Sequence, residues 1–163
     1  MDLIEYARKS AKDGMEMFLR NFSHVPDDRL TWTPTPDSKS ALRIAAHTAL
    51  YYHRFATMLQ NRTLPKVEDL DAWLQERADQ EKAITDRAEI EPIFRAGFQE
   101  FVTALEGVTL ADLSLELDSG QGWTLSLLTL VMFPGWHATL HTGQIDYLQT
   151  CWGDQHVHLS AKS

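Results

Sequence analysis

The run His137-Ala138-Thr139-Leu140-His141-Thr142-Gly143-Gln144 places two histidines four residues apart. An α-helix turns about 100° per residue, so this spacing stacks both imidazoles on one face, about 6 Å apart along the axis. That geometry can bite a metal ion. Two imidazoles leave the site incomplete, and an open catalytic site commonly has three protein ligands, so a third must come from elsewhere in the chain. His47 is the candidate, because it falls on the apolar face of an earlier helix.

Neighbours at helical spacing supply secondary candidates. Arg43 lies one turn before His47 and could bind an anionic group or lay its stem over the apolar stripe. Tyr51, one turn after it, could hydrogen-bond a substrate or simply pack. Arg43 and Tyr51 are the candidate catalytic residues. Gln144 follows His141 by three residues and suits either orientation of an imidazole or an interhelical hydrogen bond, the second being the expectation. His53 stands about 120° off the His47 face and reads as a surface residue. His24, His156 and His158 offer no useful spacing, the last two falling in a polar tail expected to be disordered. No carboxylate base accompanies the three histidines in the sequence.

The elements that must position these residues follow from periodicity. Ile4, Ala7, Ala11, Met15, Phe18 and Phe22 recur at three- and four-residue steps and predict a first helix over about 2–21. Pro26, Pro34 and Pro36 make 23–39 a long proline-rich connection, with Leu30 and Trp32 pinning it to the core. Ser38 or Ser40 caps a second helix whose stripe of Ile44, His47, Thr48, Tyr51, Phe55, Met58 and Leu59 runs to about Gln60. A short helical piece is expected over Leu70 to Ala78, anchored by Trp73 and Leu74. Pro92 opens a third long helix presenting Ile93, Phe94, Phe98, Phe101, Val102 and Leu105 before Gly107. After a loop with a turn at Asp112, Thr124 is expected to cap a last helix that ends at Gly153. Pro134, inside that helix, predicts a kink just before His137. No β-alternation is evident. The fold class is therefore all-α, a four-helix bundle in one domain over 1–153 with a polar tail at 154–163.

Bulk properties exclude several classes. The chain has 163 residues, 44% hydrophobic and 23% charged, which is ordinary for one soluble domain. Fifteen Lys and Arg against 23 Asp and Glu give a net charge of −8, and no basic cluster offsets it, so nucleic acid is not the expected partner. Cys151 is the single cysteine, so no intramolecular disulfide forms, and it reads as a packing residue. Charges in the first nine residues argue against a signal peptide, and the longest uncharged apolar run, Trp123 to Leu140, is broken by Pro134-Gly135. The expectation is cytoplasmic, without a membrane span. Metalloprotease, α/β-hydrolase, zinc-ribbon and phosphate-loop motifs are absent, as are the Glu-x-x-His pairs of di-iron bundles.

His47 within Arg43-Ile44-Ala45-Ala46-His47, and the run from His137 to Gln144 continued by Ile145-Asp146-Tyr147-Leu148, resemble the DinB/YfiT-like superfamily of four-helix bundles. That layout has one histidine in helix two and His-x-x-x-His-x-Gly-Gln in helix four. Thr142 stands where the family often has Arg, and Pro134-Gly135 interrupts a helix that is usually regular. The resemblance implies a divalent metal ion, zinc or nickel, held by His47, His137 and His141, and often a homodimer. It also implies a small-molecule substrate, with low-molecular-weight thiols such as bacillithiol or mycothiol used by some members for transfer reactions. Thiol-dependent transfer or hydrolysis is the leading expectation. A non-catalytic metal-binding bundle with a structural, sensory or partner-binding role is the alternative.

Overall fold

The computed structural model describes residues 2–162 and contains, among them, five α-helices and one small hairpin. In chain order these are α1 (Leu3–Ser23), α2 (Ala41–Asn61), α3 (Leu70–Ala83), α4 (Ile90–Glu106), β1 (Glu116–Asp118), β2 (Thr124–Ser126) and α5 (Leu127–Cys151). Short polar side chains start the helices by accepting otherwise orphaned backbone N–H groups. Asp2 accepts from Glu5 N at 2.8 Å, Ser40 from Arg43 N at 3.3 Å and Asp69 from Ala72 N at 3.0 Å. No helix among the described residues is long and apolar enough to cross a membrane.

The apolar stripes read from the sequence are the buried faces. α1 and α2 each pack on both α4 and α5, which closes the core around Phe18, Tyr52, Phe94, Phe101 and Ile145. Tyr52 is fully buried at the centre, edge-on to Phe94 with centroids 4.5 Å apart. Its hydroxyl lies 2.8 Å from the carbonyl of Ala11 and 3.0 Å from that of Pro134, so one polar atom ties α2 to α1 and α5. The connection over 24–40 is pinned as expected: Leu30 packs against the core, and Trp32 meets Trp152 edge-on at 5.6 Å.

Several expectations are corrected. The piece at Leu70 extends to Ala83, and its Leu70 and Leu74 are exposed, so Leu74 is no anchor. That helix docks through polar contacts, which leave no hydrophobic period to read. Thr124 lies in β2 opposite Asp118, and Ser126 caps α5 by accepting from Thr129 N. Three-residue strands are too short to show alternation, with only Leu117 of β1 buried between exposed Glu116 and Asp118. Cys151 is exposed in the last turn of α5. His158 hydrogen-bonds Asp154 and stacks on His24 at 3.8 Å, while Arg20 donates to the His158 carbonyl, so the tail folds back on α1.

α5 runs on as helix through Pro134, and its neighbour Gly135 has a steric purpose. A Cβ at Gly135 would stand 2.2 Å from Ser10 Oγ and 2.8 Å from the Ser10 carbonyl group, and one at Gly14 would stand 3.0 Å from the Gly135 oxygen. The two helices thus cross at backbone contact. Gly135→Ala gains helix propensity but forces these backbones apart, so a net destabilisation of about 1–3 kcal/mol is expected. Urea unfolding of the variant beside wild type measures it.

Candidate metal centre

His47 projects from α2 and His137 and His141 from α5, all from the apolar faces that pack these helices together. One ligating atom from each of the three lies within 4.8 Å of the others. His137 Nε2 is 3.3 Å from His47 Nε2 and 3.1 Å from His141 Nε2. The three residues are only partly exposed.

The far side of each ring decides what its Nε2 can do. His47 Nδ1 is 2.7 Å from Glu81 Oε1, and a carboxylate only accepts, so Nδ1 carries the proton. His141 Nδ1 is likewise 2.7 Å from Gln144 Oε1 and donates to it. Two rings therefore aim bare Nε2 lone pairs at His137. His137 Nδ1 is buried and has no hydrogen-bond partner. Burial first, then His141 and His47 and the cations Arg54 and Lys39, push the His137 pKa down to about 2. Burial also lowers His141, against the opposing hydrogen bond to Gln144. Both stay neutral at neutral pH, the form a metal requires.

Glu81 on α3 is the residue that sequence reasoning missed. Only 3% exposed, it receives His47 Nδ1 at 2.7 Å, Lys39 Nζ at 2.9 Å and Arg43 Nη2 at 3.3 Å. Burial raises its pKa, but the hydrogen bonds from His47 and Lys39 outweigh this and hold it at about 2. Glu81 is separated from His47 by 34 residues and sits on a helix without an apolar stripe, so neither spacing nor periodicity reveals it. The one hint is that Lys39 and Arg43 bracket His47's helix start and need a counter-charge.

The secondary candidates separate. Arg43 bonds Glu81 and the Ala78 carbonyl, which makes it a brace for α3. Tyr51 walls the cluster, its ring 4.4 Å from His47 and 4.9 Å from His137, with Phe55 edge-on to His137 at 5.4 Å. Gln144 orients His141 on its own helix, so the interhelical hydrogen bond is not what forms. Thr142 is buried and bonds the Ala138 carbonyl, so an Arg at this place would bury a charge. His53 is half-buried, bridging to Glu100 and the Ile93 carbonyl on α4, rather than a free surface residue.

The sequence profile of the DinB superfamily matches residues 12–145, which takes in α2 and both histidines of α5. The chain belongs to the DinB superfamily. Its fold is similar to that of a DinB-like protein, YjoA, of Bacillus subtilis, at 15% identity and a TM-score of 0.65 over 97% of this chain and 99% of that one. It is also similar to a conserved protein of Enterococcus faecalis, at 16% identity and a TM-score of 0.71 over 94% and 99%. No curated protein matches the sequence. At these identities the likeness is one of fold.

Removal of Glu81 frees the His47 ring to turn and to exchange its tautomer. Glu81→Gln, which keeps the shape and loses the charge, is expected to weaken Zn²⁺ or Ni²⁺ binding about 10- to 100-fold. Competition against a chromophoric chelator gives that ratio.

Proposed function

We propose that this protein is a metal-dependent enzyme whose divalent ion, zinc or nickel, is held by His47, His137 and His141. The supporting observation is the convergence of the three imidazoles. Tetrahedral metal–nitrogen bonds of about 2.05 Å put neighbouring ligand atoms about 3.3 Å apart. The Nε2 separations of 3.3 and 3.1 Å match that spacing. Without a cation or proton between them, lone pairs at such distances repel.

Three neutral ligands leave a divalent charge uncompensated and a coordination position open, which supplies Lewis acidity and lowers the pKa of a bound water or thiol. The chain's residues contribute positioning. Glu81 and Gln144 hold two rings in the ligating tautomer, and Tyr51 and Phe55 keep water from one side. Glu81 is already engaged by three partners, so no free carboxylate of the cluster acts as a base. That favours a nucleophile that ionises readily, and a thiol, with a pKa of about 8.5, does so where water does not. We therefore favour thiol-dependent transfer over hydrolysis.

The same reading takes the four mutually packed helices as a bundle domain over 1–153, in a cytoplasmic protein acting on a small molecule. Trp136, Leu140 and Tyr147, exposed along one face of α5, supply apolar surface for a homodimer.

Elemental analysis of untagged protein tests the proposal. Wild type is expected to carry stoichiometric zinc or nickel, and His141→Ala and His47→Ala to lose it. Equal, sub-stoichiometric content in all three overturns it. The ion is expected to stay bound through the ordinary imidazole range of about 6.5 and to leave only at lower pH, because burial keeps His137 and His141 neutral until then and protonation removes the lone pairs. Retained metal with an unchanged cobalt spectrum across a panel of low-molecular-weight thiols favours the non-catalytic alternative.

A further inference from the structure

We propose that the cleft between α2 and α3 is an oxyanion subsite, in which Arg54 and Arg77 hold a carboxylate or phosphate of the substrate across the Tyr51 ring from His47 and His137. The proposal rests on the enzyme reading above and names the substrate as an anion. The cleft has a volume of about 250 Å³ and is lined by Tyr51, Arg54, Met58, Trp73 and Arg77 among others. That is room for an acid group and a few further atoms, since a water molecule takes about 30 Å³.

Three arginines, Arg20, Arg54 and Arg77, have no carboxylate partner among the described residues, and the last two share this cleft. Six other arginines of the described chain, Arg8, Arg29, Arg43, Arg62, Arg87 and Arg95, each lie within 4.0 Å of a carboxylate. Arg54 and Arg77 make no such pair among the described residues. Arg54 donates to the neutral Gln80 side chain at 2.7 Å, and Arg77 reaches only the Trp73 carbonyl at 3.4 Å. Arg54 Nη1 and Arg77 Nε are buried with no partner, as is one N–H of each of Arg8, Arg43 and Arg87. A guanidinium stays protonated and carries its donors in a planar fork, so two cleft-lining arginines without a carboxylate partner suit an anionic acceptor.

Aromatic rings hold the two side chains in place. Arg77 Cζ lies 3.4 Å from the Trp73 ring centroid, and Arg54 Cζ lies 4.5 Å from that of Tyr51. Burial lowers the Arg54 pKa and like-charge repulsion from Arg77 adds to that, against the opposing effects of Tyr51 and Glu81. The field around the site has the same sign. Lys39, Arg43, Arg54 and Arg77 gather about one engaged carboxylate, Glu81, in a chain whose net charge is −8. Tyr51 links cleft to cluster: the ring that Arg54 covers packs on His47 and His137. An anion held by Arg54 is therefore one ring away from the histidines.

The test is calorimetric titration of sodium phosphate and, separately, sodium succinate into the metal-free full chain at constant ionic strength. Saturable binding of at least one is expected, and the stronger of the two tells phosphate from carboxylate recognition. R54Q and R77Q should each weaken it by about tenfold or more, the loss of one charge-assisted pair of hydrogen bonds. R54K, which keeps the charge without the fork, should fall between, and R20Q, at a remote arginine, should bind as wild type. R54K and R77Q carry the test if R54Q does not fold. Absence of saturable binding of both anions, or equal affinity in R77Q, R54K and wild type, overturns the subsite. Anion binding together with sub-stoichiometric metal in the protein as purified overturns the enzyme reading alone, whereas stoichiometric metal as purified without anion binding overturns the subsite alone.

Discussion

The hydroxyl of Tyr52 is the point on which the arrangement depends. It is buried among apolar side chains, where an unmet hydrogen bond costs about 1–3 kcal/mol, and only the Ala11 and Pro134 carbonyls are in reach. Meeting them fixes the rotation of α2 about its axis. That rotation turns His47 and Tyr51, five and one positions away along the chain, toward α5. The Pro134 carbonyl precedes His137 by less than a turn, so a single polar contact sets the register of both helices that supply imidazoles.

A second constraint is electrostatic. Glu81 is almost inaccessible to water and gathers an imidazole, an ammonium and a guanidinium, so its charge is stabilised by hydrogen bonds in spite of burial. Deleting any one partner leaves the others with a poorly solvated charge. Because α3 has exposed leucines at its start and a single buried residue, Glu81, near its end, this polar knot fastens the helix to the rest. The position of α3, and with it the wall formed by Trp73 and Arg77, is thereby coupled to the orientation of His47.

What the sequence made legible was whatever obeys a 3.6-residue period. The buried stripes of α1, α2, α4 and α5 and the three-histidine cluster follow from that rule, because the helices bury one face each, and Ser40 is one of the two caps the sequence offered for α2. The features that escaped it are held by other forces. Glu81 and α3 are polar, the hairpin is three residues deep, and the tail is tied down through His158 and a backbone carbonyl. Gln144 was visible, but choosing between a neighbour on its own helix and one across the bundle needed the rotamer. Pro134-Gly135 looked like an irregularity in the sequence. In three dimensions the glycine is required by the closeness of α1.

The crossing of α1 and α5 at Gly14 and Gly135 has an evolutionary consequence. Most helix pairs are separated by side chains, so their spacing drifts whenever a core residue changes size. Here main chain rests on main chain, with only the small side chains of Ser10 and Ala138 beside the contact. The crossing acts as a fixed datum two residues from His137. Substitutions can accumulate elsewhere along α5, including on its exposed face, while the imidazoles keep their place, which leaves substrate preference free to diversify around an unchanging centre.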